Sequence, residues 1–409
     1  MKNTLIHSTA LSAVRFKKMN HRIHPKQVKR HFGSFWKSIG KLRFLLGISM
    51  ALSAFAGEPP LILQETGIYK YLTTRSISIS DAGEFFIFNR NERTILHYAS
   101  DGTPLENIGR PGSGPGEFSY PANMDLFGGK LYVQDMRVIH EFNEQGTFVR
   151  KLNLPNKVLS LTRVFNGWVG LSGAIQRSTD ETTKLMWYSE EIDREITIAE
   201  WPSEAERNPG AKPAFQPGKH YFNPAKEYSR FILNHERDVA VVQLSGLDHL
   251  YGVDLRKQTQ TFDIDVPGTR IPFDKEGAQK MFDHMKKRNE AMAPSIVVEP
   301  DFPDFFPVIR YIAVSPFNQL VVFKWYSGGF AQEKKTEAAE KSLLWYNFKG
   351  EQVPKVETDF KLSRVIKATD TYVYFTCYMD TEEWSVARVP RSEAASFLEA
   401  NPLPSQESM

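Results

Sequence analysis

Four segments of the chain share an Arg-x-Ile signature: Arg75-Ser76-Ile77, Arg230-Phe231-Ile232, Arg310-Tyr311-Ile312 and Arg364-Val365-Ile366. In an extended strand residues i and i+2 share a face, so the signature gives each arginine one register position in its strand. Strands of this kind arranged around a common axis would gather the four guanidiniums at one mouth. Each guanidinium offers a planar fork of donors that suits a carboxylate or phosphate. Asn123, at the matching place of another segment, adds a neutral donor. The expected occupant is a small anionic ligand or a protein partner. The competing account gives each arginine an acidic partner or loop carbonyls within the protein, and the sequence leaves both open.

Other reactive residue types form no recognisable set. His97, His140, His220, His235, His249 and His284 lack the His-x-His or His-Glu-x-x-His spacing of a metal site. His235 and His249 belong to one repeat and are the pair to examine for proximity, but neither a metal nor another cofactor is expected. Gly170-Leu-Ser-Gly173 departs from the Gly-x-Ser-x-Gly nucleophile elbow, and no helical pattern follows it. The single cysteine, Cys377, lies in the strand-like run Tyr372–Tyr378 and cannot form an internal disulfide. Trp325-Tyr326 suits packing between elements better than stacking on a ligand. No catalytic residue is nominated, so the leading reading is a non-enzymatic binding module. A hydrolase or lyase acting at the same mouth is the rival, and a structural envelope component is a third reading.

The elements that would position these residues come from an internal repeat. Six times an apolar strand, a polar turn and a second strand rich in Val, Phe, Tyr or Trp succeed one another. The turns lie near residues 83, 129, 167, 237, 318 and 370. Asp81-Ala82-Gly83, Gly128-Gly129 and Asn166-Gly167 supply residues that accept the positive φ of tight hairpins. A third strand follows each hairpin, as in Thr94–Tyr98, Val138–Phe142 and Leu343–Tyr346. Six sheets of three or four antiparallel strands predict an all-β, six-bladed β-propeller. The sixth unit lacks an outer strand, whereas Leu61–Leu72 has no blade of its own. The N-terminal strand is therefore expected to close the last blade and remove an edge. Trp201–Glu227, rich in proline, reads as a loop inserted between blades. Asp274–Met292 reads as a helix capped by Asp274, with Ala278, Met281, Phe282, Met285 and Met292 on its apolar stripe. That helix either packs on the propeller face or forms a lid over a pocket. Ser327–Glu340 is a third, charged insertion.

Ile108-Gly-Arg-Pro-Gly-Ser-Gly-Pro-Gly-Glu-Phe118, followed by Tyr120-Pro121, resembles the junction of NHL-repeat propellers. The resemblance implies that this loop joins the outer strand of one blade to the inner strand of the next. Its glycines would allow the turn and Phe118 would wedge between blades. The full motif occurs at one junction, and the resemblance implies a class in which many proteins bind ligands or partners and a few are lyases or lactonases. A phosphate loop is excluded, because no Lys-Ser or Lys-Thr follows the glycines.

The formal net charge of +3 conceals a division. Residues 1–56 carry 11 Lys and Arg and no acid, leaving 40 basic against 48 acidic residues, about −8, in the remainder. A nucleic-acid footprint is therefore not expected in 57–409. Lys41 and Arg43, the apolar run Phe44–Ala54 and the small-x-small pattern Ala54-Phe55-Ala56 read as a signal peptide cleaved after Ala56, with Met1 or Met19 as the start. The apolar run is too short to span about 30 Å of hydrocarbon. The expectation is a leader over 1–56, a propeller over 57–390 and a C-terminal helix and tail over 391–409. The mature chain would be a monomer exported to the periplasm or secreted, without a stable membrane span.

Overall fold

The computed structural model describes residues 59–64, 66–68, 76–156, 158, 160–172, 182–207, 215–216, 219–225, 228–292, 295–325, 343–356, 358, 364–379 and 383–401. The first strand among the described residues is β1 (Leu61–Ile62). Blade one is β2 (Ile77–Ile79), β3 (Phe85–Asn89) and β4 (Thr94–Tyr98). A two-stranded junction, β5 (Arg110–Pro111) and β6 (Glu117–Phe118), leads to blade two: β7 (Pro121–Phe127), β8 (Lys130–Asp135), β9 (Val138–Phe142) and β10 (Phe148–Asn153). Blade three is β11 (Thr162–Val164), β12 (Gly167–Ser172), β13 (Thr183–Tyr188) and β14 (Glu195–Trp201). After helix α1 (Glu204–Arg207), β15 (Phe215–Gln216) and β16 (Lys219–Phe222) comes blade four: β17 (Arg230–Leu233), β18 (Val239–Gln243), β19 (His249–Asp254) and β20 (Thr259–Asp265). Helix α2 (Lys275–Met292) and β21 (Val297–Pro300) precede blade five: β22 (Ile309–Val314), β23 (Leu320–Lys324) and β24 (Leu343–Tyr346). Blade six is β25 (Val365–Ala368), β26 (Tyr372–Tyr378) and β27 (Trp384–Pro390), followed by α3 (Ala394–Ala400).

These six antiparallel meanders form a six-bladed β-propeller. Blade six is completed by β1, which pairs with β27 in the register Leu61↔Arg388 and Ile62↔Ala387. The closure continues past the paired residues. Leu63 N–H donates to the Val386 carbonyl at 3.1 Å, and the Thr66 hydroxyl donates to the Trp384 carbonyl at 2.7 Å. The expected closing strand is thus present.

A blade has two apolar faces, so the core is divided among the junctions. Phe86, Phe88 and Ile95 of blade one meet Phe118, Met124, Leu131 and Val133 of blade two. Val164, Val169 and Leu185 of blade three meet Ala240, Val242 and Val253 of blade four. The glycine-rich junction behaves as its residue types require. Phe118 is fully buried in the first of these clusters, and Gly109, at φ +75°, passes so close that a Cβ would lie 2.2 Å from the Phe118 ring.

The meander also sorts the connections onto two faces. Strands alternate in direction, so first-to-second and third-to-fourth turns share one face, here the hairpin face. Second-to-third loops and blade-to-blade crossings share the other. The segments joining β12 to β13, β14 to β17, β20 to β22 and β23 to β24 begin and end on this second face. It is called the insertion face below.

Candidate functional site

Every inner strand starts at the insertion face, which places Asn123, Arg230, Arg310 and Arg364 around that end of the axis; Arg75 lies outside the described residues. Their environments differ because the strand starts are irregular. Arg310 falls within the register shift of β22, between Ile309 and Tyr311, and is exposed. Its guanidinium carbon lies 4.9 Å from the centre of the Trp325 ring and 5.9 Å from that of Tyr311. Arg230 is half-buried and pairs across the sheet with Gln243; its Nε faces the Tyr228 carbonyl at 3.4 Å. Asn123 follows a bulge in β7, opposite Gln134, and is half-buried. Arg364 is buried: Nε donates to the Thr376 carbonyl at 2.9 Å and Nη1 to the Asn401 carbonyl at 2.5 Å. Burial holds its proton affinity below the usual guanidinium range. A carbonyl of strand β26 and the carbonyl at the end of α3 thus occupy two nitrogens of Arg364, whereas Arg310 presents its fork outward from an aromatic platform.

The platform belongs to the insertions. Trp325 stacks on Phe306 at 4.4 Å, Phe306 contacts Phe273 at 4.8 Å, and Phe273 contacts Phe302 at 5.8 Å. Helix α2 adds Ala278 and Phe282, with Phe282 lying 6.1 Å from Phe222. Its start is capped as expected: Asp274 Oδ1 accepts the Gly277 N–H at 2.9 Å. Met281, expected on the apolar stripe, is 43% exposed. The described residues of Trp201–Glu227, read from sequence as a loop, include regular structure. They contain α1, β15 and β16, and β16 pairs in parallel with β21, Lys219 opposite Val297 and Phe222 opposite Pro300. A partner strand supplied by the next insertion made this strand, and no local pattern announces such a pairing. The third insertion, Ser327–Glu340, lies outside the described residues.

Polar side chains that sequence reasoning did not single out hold the insertion face in place. Asp135 accepts the N–H groups of Ser119 and Tyr120 at 2.5 and 2.6 Å, and Tyr120 and Met136 are both exposed. Glu117 accepts the Gly114 N–H at 2.9 Å and pairs with Arg110 at 2.8 Å. Asp248 accepts the Val308 N–H at 2.9 Å, and Arg207 donates to the Ser245 carbonyl at 2.7 Å. Tyr228 and Phe305 are further large apolar side chains exposed on this face.

The hairpin face is tied from blade to blade instead. Arg237, in the blade-four turn, reaches Asp125 of blade two through a two-pronged ion pair at 2.7 and 2.6 Å and also donates to the Arg163 carbonyl of blade three at 2.7 Å. Lys367 of blade six faces the Ile79 and Ser80 carbonyls of blade one at 3.3 Å. Asn318 of blade five donates to Glu236 of blade four at 2.7 Å. The signal for Arg237 was present but indirect. It has φ +56° at the turn position held by Gly83 in blade one and Asn318 in blade five.

The histidines separate. His235 sits in the hairpin-face turn of blade four, while His249 begins β19 at the insertion face, so five residues of β18 stand between the two ends. They are not neighbours, because one extended strand of that length spans about 17 Å. His249 instead lies between Asp263 at 3.1 Å and Asp265 at 3.6 Å. His97 and His140 are buried, and burial lowers the proton affinity of both. Among the described residues no group of three His, Cys, Asp or Glu side chains is placed to hold a metal ion. Cys377 is buried in β26 and its thiol is pushed up to about 12 by burial, which keeps it protonated and unreactive while covered.

No family model matches the chain, and no curated protein does. Solved structures align with this chain at low identity. A DUF4221 family member from Bacteroides vulgatus is 11% identical over 81% of this chain and 96% of its own, with a TM-score of 0.48. A protein from Bacteroides fragilis, inferred to be exported, is 13% identical over 80% of this chain and 93% of its own, with a TM-score of 0.45. BamB from Moraxella catarrhalis is 9% identical over 76% of this chain and 71% of its own, with a TM-score of 0.31. The propeller assignment itself rests on the six sheets and their closure.

Proposed function

We propose that this propeller is an exported binding module that recognises an anionic ligand, or an acidic segment of a partner, on its insertion face. The observation that carries the reading is the asymmetry of the two faces. One carries hairpin turns and cross-blade polar contacts; the other carries the insertions that follow blades three and four and an exposed arginine on a stack of aromatic rings. Arg310 is the central recognition residue, with Arg230 and Asn123 as neighbours around the channel mouth and Arg75, outside the described residues, as a further candidate. Arg364 contributes through the carbonyl-bound placement of blade six. A carboxylate or phosphate would take the open edge of the Arg310 guanidinium, while Trp325 fixes its plane and lowers its hydration.

The glycine-rich junction over residues 108–121 supports an NHL-type ancestry for the blades. The leader over 1–56, which lies outside the described residues, supports export to the periplasm or beyond. Among the described residues no helix is long and apolar enough to cross a membrane. The mature monomer, residues 57–409, is the species to test. A thermal-shift screen of sugar acids, dicarboxylates and phosphorylated metabolites should find anions that raise its midpoint, and Arg310→Ala should abolish the rise. Stabilisation that persists undiminished in Arg310→Ala would remove Arg310 from the site.

A further inference from the structure

The junction between blades five and six is built differently from the others. Between blades four and five, for example, Val241 and Leu250 of one sheet meet Ile309, Ile312, Leu320 and Val322 of the next. At the last junction the buried cluster consists of Val365, Val373, Phe375, Cys377, Ala387 and Val389 of blade six together with Ala394 and Phe397 of α3. Blade five reaches this cluster through Phe317, which is only partly buried. Among the described residues, two buried side chains of a helix stand in this cluster where strand residues of the neighbouring blade stand at the junction of blades four and five.

That helix is weakly anchored. It has seven residues, too few to persist alone in water, and no side chain caps its start. Only Ala394 and Phe397 are buried within it, Phe397 stacking on Phe375 at 6.0 Å. At its end the Asn401 carbonyl accepts Arg364 Nη1, but Arg364 Nη2 is buried without a hydrogen-bond partner. Arg364 also has no carboxylate within ion-pair distance among the described residues. A buried cation with unmade hydrogen bonds is costly, and departure of the helix would let water complete them. Ring closure does not depend on α3, since β1 completes blade six from the opposite edge of β27.

We infer that α3 is a detachable wedge: it undocks while the six blades stay assembled, opening the seam between blades five and six and releasing Arg364 at the insertion face. The protein carries its own reporter. Cys377 is the single cysteine, is 2% exposed, and shares the α3-facing side of β26 with Phe375 and Val373. The inference goes beyond ligand recognition and holds whether or not Arg310 binds an anion.

The test is native-state thiol labelling of the full chain with dithiobis-nitrobenzoate at rising urea, compared with global unfolding followed by tryptophan fluorescence. The expected result is labelling in the absence of urea at least about tenfold faster than global unfolding allows, with a shallower urea dependence. Phe397→Ala should accelerate labelling about a hundredfold or to the rate of an unprotected thiol. Val133→Ala, a core truncation in blade two, should change it less than about twofold in the absence of urea. Labelling that follows global unfolding in rate and urea slope, or Phe397→Ala acting no more strongly than Val133→Ala, would overturn the wedge.

Discussion

Replacing Arg237 tests the cross-blade fastening of the hairpin face. Its guanidinium and the Asp125 carboxylate are 16% and 29% exposed, between the limits of a surface pair and a buried one. Breaking a buried pair by removing one partner costs about 3–5 kcal/mol, and exposed pairs contribute about 0–1 kcal/mol. Arg237 additionally serves the Arg163 carbonyl at 2.7 Å and covers the Phe127 ring at 4.5 Å. Arg237→Ala should therefore cost about 2–3 kcal/mol, a fall of about 3–4 °C in the thermal midpoint. Glycine separates the interaction from the backbone. At φ +56° a residue with a Cβ is strained by about 1 kcal/mol, and glycine is not. Arg237→Gly should consequently be about 1 kcal/mol less destabilised than Arg237→Ala. Urea unfolding of both variants, and a cycle with Asp125→Ala, measures the two contributions. The cycle should return a coupling of at least about 1.5 kcal/mol. A glycine variant as damaged as alanine, with coupling within about 0.3 kcal/mol, would refute the reasoning.

Three further outcomes follow from the packing. His97 and His140 bind protons more weakly folded than unfolded, so the unfolded chain takes up protons first as pH falls. Their contribution is complete above the ordinary value of 6.5 and is lost as pH drops from there towards the depressed folded values. Urea midpoints between about pH 8 and pH 5 should decline on the acid side, and His140→Leu should flatten the decline. Phe118→Ala should cost about 3–5 kcal/mol and loosen the junction between blades one and two, read by urea unfolding. Deleting residues 59–68 removes β1 and exposes the edge of β27, so the variant should aggregate on size exclusion and melt earlier.

The repeat was legible because hairpins are local. Gly83, Gly128 and Gly129 sit at positive φ in the turns their neighbours predicted, and Asp274 caps the helix it was expected to cap. The closing strand followed from counting, since one blade lacked a strand and one strand lacked a blade. The parallel pairing of β16 with β21 was hidden because Lys219 and Val297 are far apart in sequence and each segment is short. The arginine signature marked the right end of the inner strands but not the fate of each side chain. A bulge exposes Arg310, whereas α3 folds back to bury Arg364, and neither event leaves a mark on the Arg-x-Ile pattern. The Arg237–Asp125 pair joins blades that are not consecutive, so only the assembled ring brings the charges together.

Hydrogen exchange by mass spectrometry, with and without the most stabilising anion of the screen, tests the assignment of recognition to one face most directly. New protection is predicted around Tyr120, Tyr228–Arg230 and Phe305–Arg310, with the turns at 80–84, 234–239 and 315–319 unchanged. Protection concentrated in those turns, with the neighbourhood of Arg310 unaffected, would contradict the account.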